Sequence, residues 1–253
     1  MGAFARVHAA CRPYRMHVLL LAYTPALLFV DGRAGGRGPQ LALGLLTFAV
    51  LFGCVRGLRP ADRTQAWICV PVATAFEVYG SLIWGGYHYR DHNIPLYVPP
   101  GHALVFVFGI TAGALPLVRE HGKAVTRLVL GLATAWTVAG LTVLPLLGQR
   151  LDLLGAALWP LFAWCILRSK RPAMFAAIWV ATATLEFAGT LAGDWTWAAV
   201  APWSHLAAGN PPSAIAAGYA VIDGSVALVA GAVAAVWQRR RGAGGFGLGA
   251  GRA

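Results

Sequence analysis

Apolar stretches of spanning or near-spanning length alternate with connections that are rich and poor in Arg and Lys by turns, and this double alternation constrains the fold more than any motif does. The stretches run over residues 16–30, 41–57, 66–86, 100–118, 125–147, 153–168, 173–193 and 212–237. A helix rises about 1.5 Å per residue and the hydrocarbon layer is about 30 Å thick, so about 20 residues are needed to cross it. The rich connections hold Arg6, Arg12 and Arg15; Arg56, Arg59 and Arg63; Arg119, Lys123 and Arg127; Arg168, Lys170 and Arg171; and Arg239, Arg240 and Arg241. The poor ones hold only Arg33, Arg37, Arg90 and Arg150. Loops rich in Lys and Arg stay on the cytoplasmic side, so the net charge of +11 reads as a topology signal and not as a nucleic-acid footprint.

The expected fold is therefore an all-α, polytopic integral membrane bundle of about eight transmembrane helices with both termini cytoplasmic, as in a bacterial inner membrane. With 58% hydrophobic and 11% charged residues, the chain has too little polar surface for a soluble globule of 253 residues. The shortest stretches borrow neighbours: 16–30 takes in Tyr14 and Asp31–Gly32, and 153–168 starts near Leu151. Pro25, Pro71, Pro116, Pro145 and Pro160 fall within or near spans, where neighbouring helices or water satisfy the carbonyls they free. Cys11, Cys54, Cys69 and Cys165 show no metal-like spacing, and a reducing cytoplasm disfavours a disulfide between them. The first 35 residues resemble a signal peptide, but no small-x-small cleavage site follows and the loop parity holds only if the segment stays as a helix.

A second regularity lies inside the spans. Phe76-Glu77-Val78-Tyr79-Gly80-Ser81-Leu82 returns 109 residues later as Leu185-Glu186-Phe187-Ala188-Gly189-Thr190-Leu191. An aromatic outer segment follows each, Tyr87-His88-Tyr89 and Trp195-Thr196-Trp197, and then a proline pair, Pro99-Pro100 and Pro211-Pro212. Arg59-Pro60 and Arg171-Pro172 precede the two glutamate helices. Four spans fall in each half, so the halves enter the membrane in the same direction and the expected relation is a parallel 4+4 repeat. The divisions are residues 1–122, 123–238 and a basic, Gly-rich cytoplasmic tail over 239–253.

The candidate chemistry rests on three deep acids, Glu77, Glu186 and Asp223. A carboxylate facing lipid at such depth costs roughly 3 kcal/mol, so these side chains must face the bundle interior. In an apolar cavity a protonated carboxyl can donate to an alkene, an epoxide or a leaving group, or accept a proton after charge has moved. Aligning the proline pairs sets Thr111 opposite Asp223, so a symmetric scaffold holds unequal groups.

Around the acids the expected substrate-binding residues are Tyr79, His102, Trp195, Trp197, Asn210 and Tyr219. The outer aromatics suit an entrance whose faces can stabilise a carbocation. His88, His92 and His102 form an alternative transition-metal set by residue type, although their spacing matches no recognised signature. No Gly-rich phosphate loop, GxSxG, HExxH or CxxCH occurs. The expectation is a membrane-embedded enzyme acting on an apolar, isoprenoid-like lipid by carboxylic acid–base catalysis without an obligatory cofactor. A proton- or cation-coupled transporter, a structural subunit of a membrane complex and a histidine-ligated metal oxidoreductase are the alternatives.

Overall fold

A computed structural model describes residues 11–244, with side chains through Arg239; Arg6, the side chains of Arg240 and Arg241, and the Gly-rich tail from Gly245 lie outside the described residues. The described chain is mostly helical. Its long elements are α1 (Arg15–Ala34), α2 (Arg37–Val55), α3 (Pro60–Glu77, continued by a π-helical turn over Val78–Ile83), α4 (Val98–Ala112), α5 (Pro116–Leu141), α6 (Leu153–Arg168), α7 (Pro172–Ala192) and α8 (Ala216–Gly244). Short helical turns over Arg12–Tyr14 and Val143–Leu146 and two three-residue strands, β1 (Tyr87–Tyr89) and β2 (Trp195–Trp197), complete it.

Five of these helices, α2, α3, α5, α7 and α8, are long and apolar enough to cross a membrane, while α4 and α6 are apolar but shorter. Large apolar side chains such as Leu128, Leu132, Leu191 and Leu228 stand exposed on their outer faces, as expected of a multi-pass membrane bundle. Inside it, α4 is apolar except for His102 and Thr111 and acts as the core helix: from Val98 to Gly109 only Gly101 escapes full burial.

Proline sets several boundaries. Pro60, Pro116 and Pro172 occupy the first position of α3, α5 and α7, where a missing N–H costs nothing. Pro116 therefore starts a helix instead of interrupting one, and the fourth span ends at Ala112, not at 118. The fifth starts earlier than expected, bends at His121 (φ −125°, ψ 24°) and ends at Leu141; Thr142 leaves the helical region before a single turn over Val143–Leu146. Pro211 and Pro212 lie in the turn before α8, not at its start.

Helices α3, α4, α7 and α8 pack as a closed ring, each on the next. Outside it α2 leans on α4 and α6 on α8, whereas α1 and α5 both pack on α7. Side-chain bonds gather four connections at one end of the bundle. Gln40 Nε2 donates to Asp91 Oδ2 at 3.1 Å, Arg90 reaches Asp31 and Asp194, and Arg150 Nη1 donates to the Trp197 carbonyl at 2.6 Å. The strands pair at this same end.

Candidate functional site

Glu77 on α3 and Glu186 on α7 are 5% and 4% exposed, and each is held by two aromatic side chains from the strand that follows its helix. Tyr87 and Tyr89 hydroxyls donate to Glu77 Oε2 at 2.8 and 2.7 Å; the Trp195 and Trp197 indole N–H groups donate to Glu186 Oε2 at 3.0 Å each. Strand geometry explains why four aromatics act and the residues between them do not. The strands are antiparallel, with Tyr87 opposite Trp197, His88 opposite Thr196 and Tyr89 opposite Trp195. Side chains alternate faces along a strand, so the outer pair of each strand turns to the acids while exposed His88 and Thr196 turn away. The four rings also touch one another: Tyr87 and Trp197 centroids lie 4.8 Å apart, and Tyr89 and Trp195 6.1 Å apart.

The Glu-x-x-Gly motif has a steric cause. A Cβ on Gly80 would stand 2.8 Å from the Tyr87 hydroxyl oxygen, and one on Gly189 would overlap the Trp195 ring. Each glycine opens the helix surface one turn after its glutamate, and the aromatic donor occupies that opening. The segments nevertheless differ by one residue, since ten positions separate Glu77 from Tyr87 and nine separate Glu186 from Trp195. A π-turn holds one residue more than an α-turn, and α3 takes this form directly after Glu77, whereas α7 stays α-helical through Ala192. The widened turn absorbs the extra residue and leaves both donor pairs in reach of their acids.

Beyond these matched contacts the two acids part company. Glu77 Oε1 faces His102 Nε2 at 2.6 Å, and the His102 ring stacks on Tyr219 with centroids 4.7 Å apart and planes 21° apart. A carboxyl and an imidazole at this distance can hold a proton on either partner. Among the described residues Glu186 has no such companion: both its bonds end on Oε2, and Oε1 takes no hydrogen bond in the wall of the cavity. Burial, with the neighbouring Glu77 charge, pushes the Tyr87 and Tyr89 hydroxyls well above the ordinary phenol value, so they serve as donors and not as acids.

Both glutamates line one cavity of about 1170 Å³, counting the space at its mouth. Tyr23, Leu27 and Leu28 of α1, Thr47 of α2 and Val105 of α4 extend its wall, and Tyr79, His102, Trp195, Trp197 and Tyr219 all line it. Tyr79 is half-exposed and meets exposed Trp203 edge-on, with centroids 6.0 Å apart.

The other expected site residues are placed differently. Asp223 is buried on α8 one turn beyond Tyr219 and does not line the cavity, and its Oδ2 has no partner among the described residues. Asn210 accepts from the Trp197 backbone N–H at 2.9 Å, so it fixes β2 instead of facing the cavity. His88, His92 and His102 do not assemble: His102 is buried against Glu77, His88 is exposed on the far face of β1, and no three His, Cys, Asp or Glu side chains form a metal-holding group among the described residues. The histidine-ligated reading loses its ligand set.

Sequence reasoning missed a clamp above the cavity. Arg90 donates to Asp31 Oδ2 at 3.1 Å and to Asp194 Oδ1 at 3.2 Å, and the Tyr97 hydroxyl also donates to Asp31 Oδ2. The clamp joins the strand-bearing ends of α1 and α7 to the β1 loop. Its only signal in the sequence was three charged residues at span ends on the side poor in cations. No known family, no characterised protein and no solved structure matches this chain, so the reading of the site rests on its own geometry.

Proposed function

We propose that the protein is a membrane-embedded enzyme that rearranges an elongated, isoprenoid-like lipid by acid–base catalysis. The observation that carries this reading is the pairing of Glu77 with His102 opposite a Glu186 oxygen free of hydrogen bonds, in an aromatic-walled cavity. The proton shared by Glu77 and His102 passes to an alkene carbon, the π pair forming the new C–H bond. The resulting cation lies among aromatic faces that attract it. Glu186 Oε1 then takes a proton from a neighbouring carbon, whose C–H pair becomes the shifted double bond. The step is redox-neutral.

The same reading places eight crossings in the membrane, with the Arg- and Lys-rich end and both termini in the cytoplasm and the cavity toward the outer leaflet. The matched donor pairs on Glu77 and Glu186 support descent from a duplicated four-helix unit, although the packing of both α1 and α5 on α7 departs from strict two-fold symmetry.

The test is turnover of isoprenoid lipids by reconstituted protein in D₂O, read by mass spectrometry. The native chain adds deuterium to product. Glu77→Gln and Glu186→Gln keep the size of the side chain but remove proton exchange, and each lowers product by on the order of 10²–10⁴. Unchanged turnover in both variants overturns the assignment. Glu77-dependent flux across proteoliposomes with no altered lipid would identify a carrier instead.

A further inference from the structure

The end of the bundle remote from the acids carries its own cleft. The starts of α3, α5 and α7 converge there around about 1110 Å³ of open space. Four cations line it, Arg59, Lys123, Lys170 and Arg171, against a single acid, Asp62. Arg59 is bound to that acid through Nε and Nη2 at 2.7 and 3.3 Å, and no ion pair among the described residues involves Lys123, Lys170 or Arg171. Three positive charges, one from α5 and two from the connection between α6 and α7, thus face one space without a counter-charge.

The walls of the cleft are of a different kind. Ile110, Val118 and Met174 give it an apolar side, and Gly109 lets α4 approach α7 so closely that a Cβ there would stand 2.6 Å from Ile178. The first turn of α7 also borders it, although Pro172 brings no N–H, the Arg171 N–H is bonded to Ser169 Oγ at 2.9 Å and the Met174 N–H to the Arg171 carbonyl at 3.0 Å. What the helix start adds to the three cations is therefore its dipole and not a row of free donors.

We propose that this cleft binds the phosphate-bearing headgroup of an anionic membrane lipid, the three cations holding the phosphate and the apolar wall taking the start of an acyl chain. The wall distinguishes such a lipid from a soluble phosphate, which would leave Ile110, Val118 and Met174 uncovered. The site is independent of the acid cavity.

Native mass spectrometry and thermal unfolding of the full chain with phosphatidylglycerol, phosphatidylcholine or inorganic phosphate test this. Phosphatidylglycerol is retained and raises the unfolding midpoint, and phosphatidylcholine does neither. The triple variant Lys123→Gln, Lys170→Gln, Arg171→Gln binds phosphatidylglycerol on the order of 100-fold more weakly. A matched triple on exposed cations of the same end outside the cleft, Arg56→Gln, Arg119→Gln, Arg168→Gln, keeps the bound lipid. Equal loss in the two triples would reduce the effect to general surface charge and overturn the site. Stabilisation by inorganic phosphate equal to that by phosphatidylglycerol would overturn the lipid.

Discussion

Three residues after each buried glutamate stands a glycine whose missing Cβ leaves room for the ring that bonds the acid. Gly189→Ala drives a methyl into the Trp195 indole, a rigid ring already fixed to Glu186 and packed near Tyr89. Overpacking of this kind costs about 1–3 kcal/mol, so the unfolding midpoint falls and Trp195 fluorescence shifts; an unaltered midpoint would count against the steric role. The Glu-x-x-Gly spacing was legible because it recurs in two apolar stretches 109 residues apart. Its meaning was not, because the rings that need the space come from strands paired across 108 residues. Asp194 makes a second prediction. Burial, with the Asp31 carboxylate beside it, pushes its carboxyl up to about 7 against the pull of Arg90. An aspartate in the unfolded chain titrates near about 3.9, so the folded state holds the extra proton between about pH 4 and 7. The stabilising contribution is complete below that window and is lost as pH rises through about 7. Asp194→Asn flattens this part of the profile, and unfolding midpoints of both proteins between pH 4 and 8 that ran parallel would remove Asp194 as the cause.

Elements bring these residues together by local geometry that periodicity alone does not report. Hydrophobic runs located the helices, yet a run gives no sign of where a helix widens to a π-turn or where a proline starts the next helix. Pro116 shows the second case and Val78–Ile83 the first. Because that turn takes up one residue, deleting exposed Ile83 should convert it to an α-turn and still let Tyr87 and Tyr89 reach Glu77. Deleting exposed Leu191 from the α-helical second segment should instead rotate β2 away from Glu186 and break both indole bonds. Each indole bond is worth about 1.5–3 kcal/mol when its acceptor is charged, so the two deletions should differ widely in folded yield and unfolding midpoint. Equal tolerance of both would mean that the extra residue is not what the π-turn absorbs.

At the scale of the whole molecule the charge pattern and the contacts describe the same two ends. Gln40, Arg90 and Arg150 bond across the end that holds the strands, and the cleft of Arg59, Lys123, Lys170 and Arg171 lies at the other. This much was legible in the sequence because loop charge alternates with each apolar stretch, whereas the packing of α1 and α5 on one helix, α7, was not, since lipid-facing and helix-facing positions are equally apolar. Contacts fix which connections share an end but not which end meets the cytoplasm; only the cation bias supplies that sign. Single cysteines placed at exposed positions in a chain lacking its four native cysteines read it directly. With a membrane-impermeant maleimide on intact cells, cysteines at Arg37, Gln149 and Ser204 should label, while those at Lys123 and Lys170 should label only after the membrane is opened. Labelling of Lys123 and Lys170 from outside would invert the protein, moving the acid cavity to the inner leaflet and the basic cleft to the outer one. Mixed labelling at one end would break the parity of eight crossings, and with it the parallel relation of the two halves that the matched glutamates suggest.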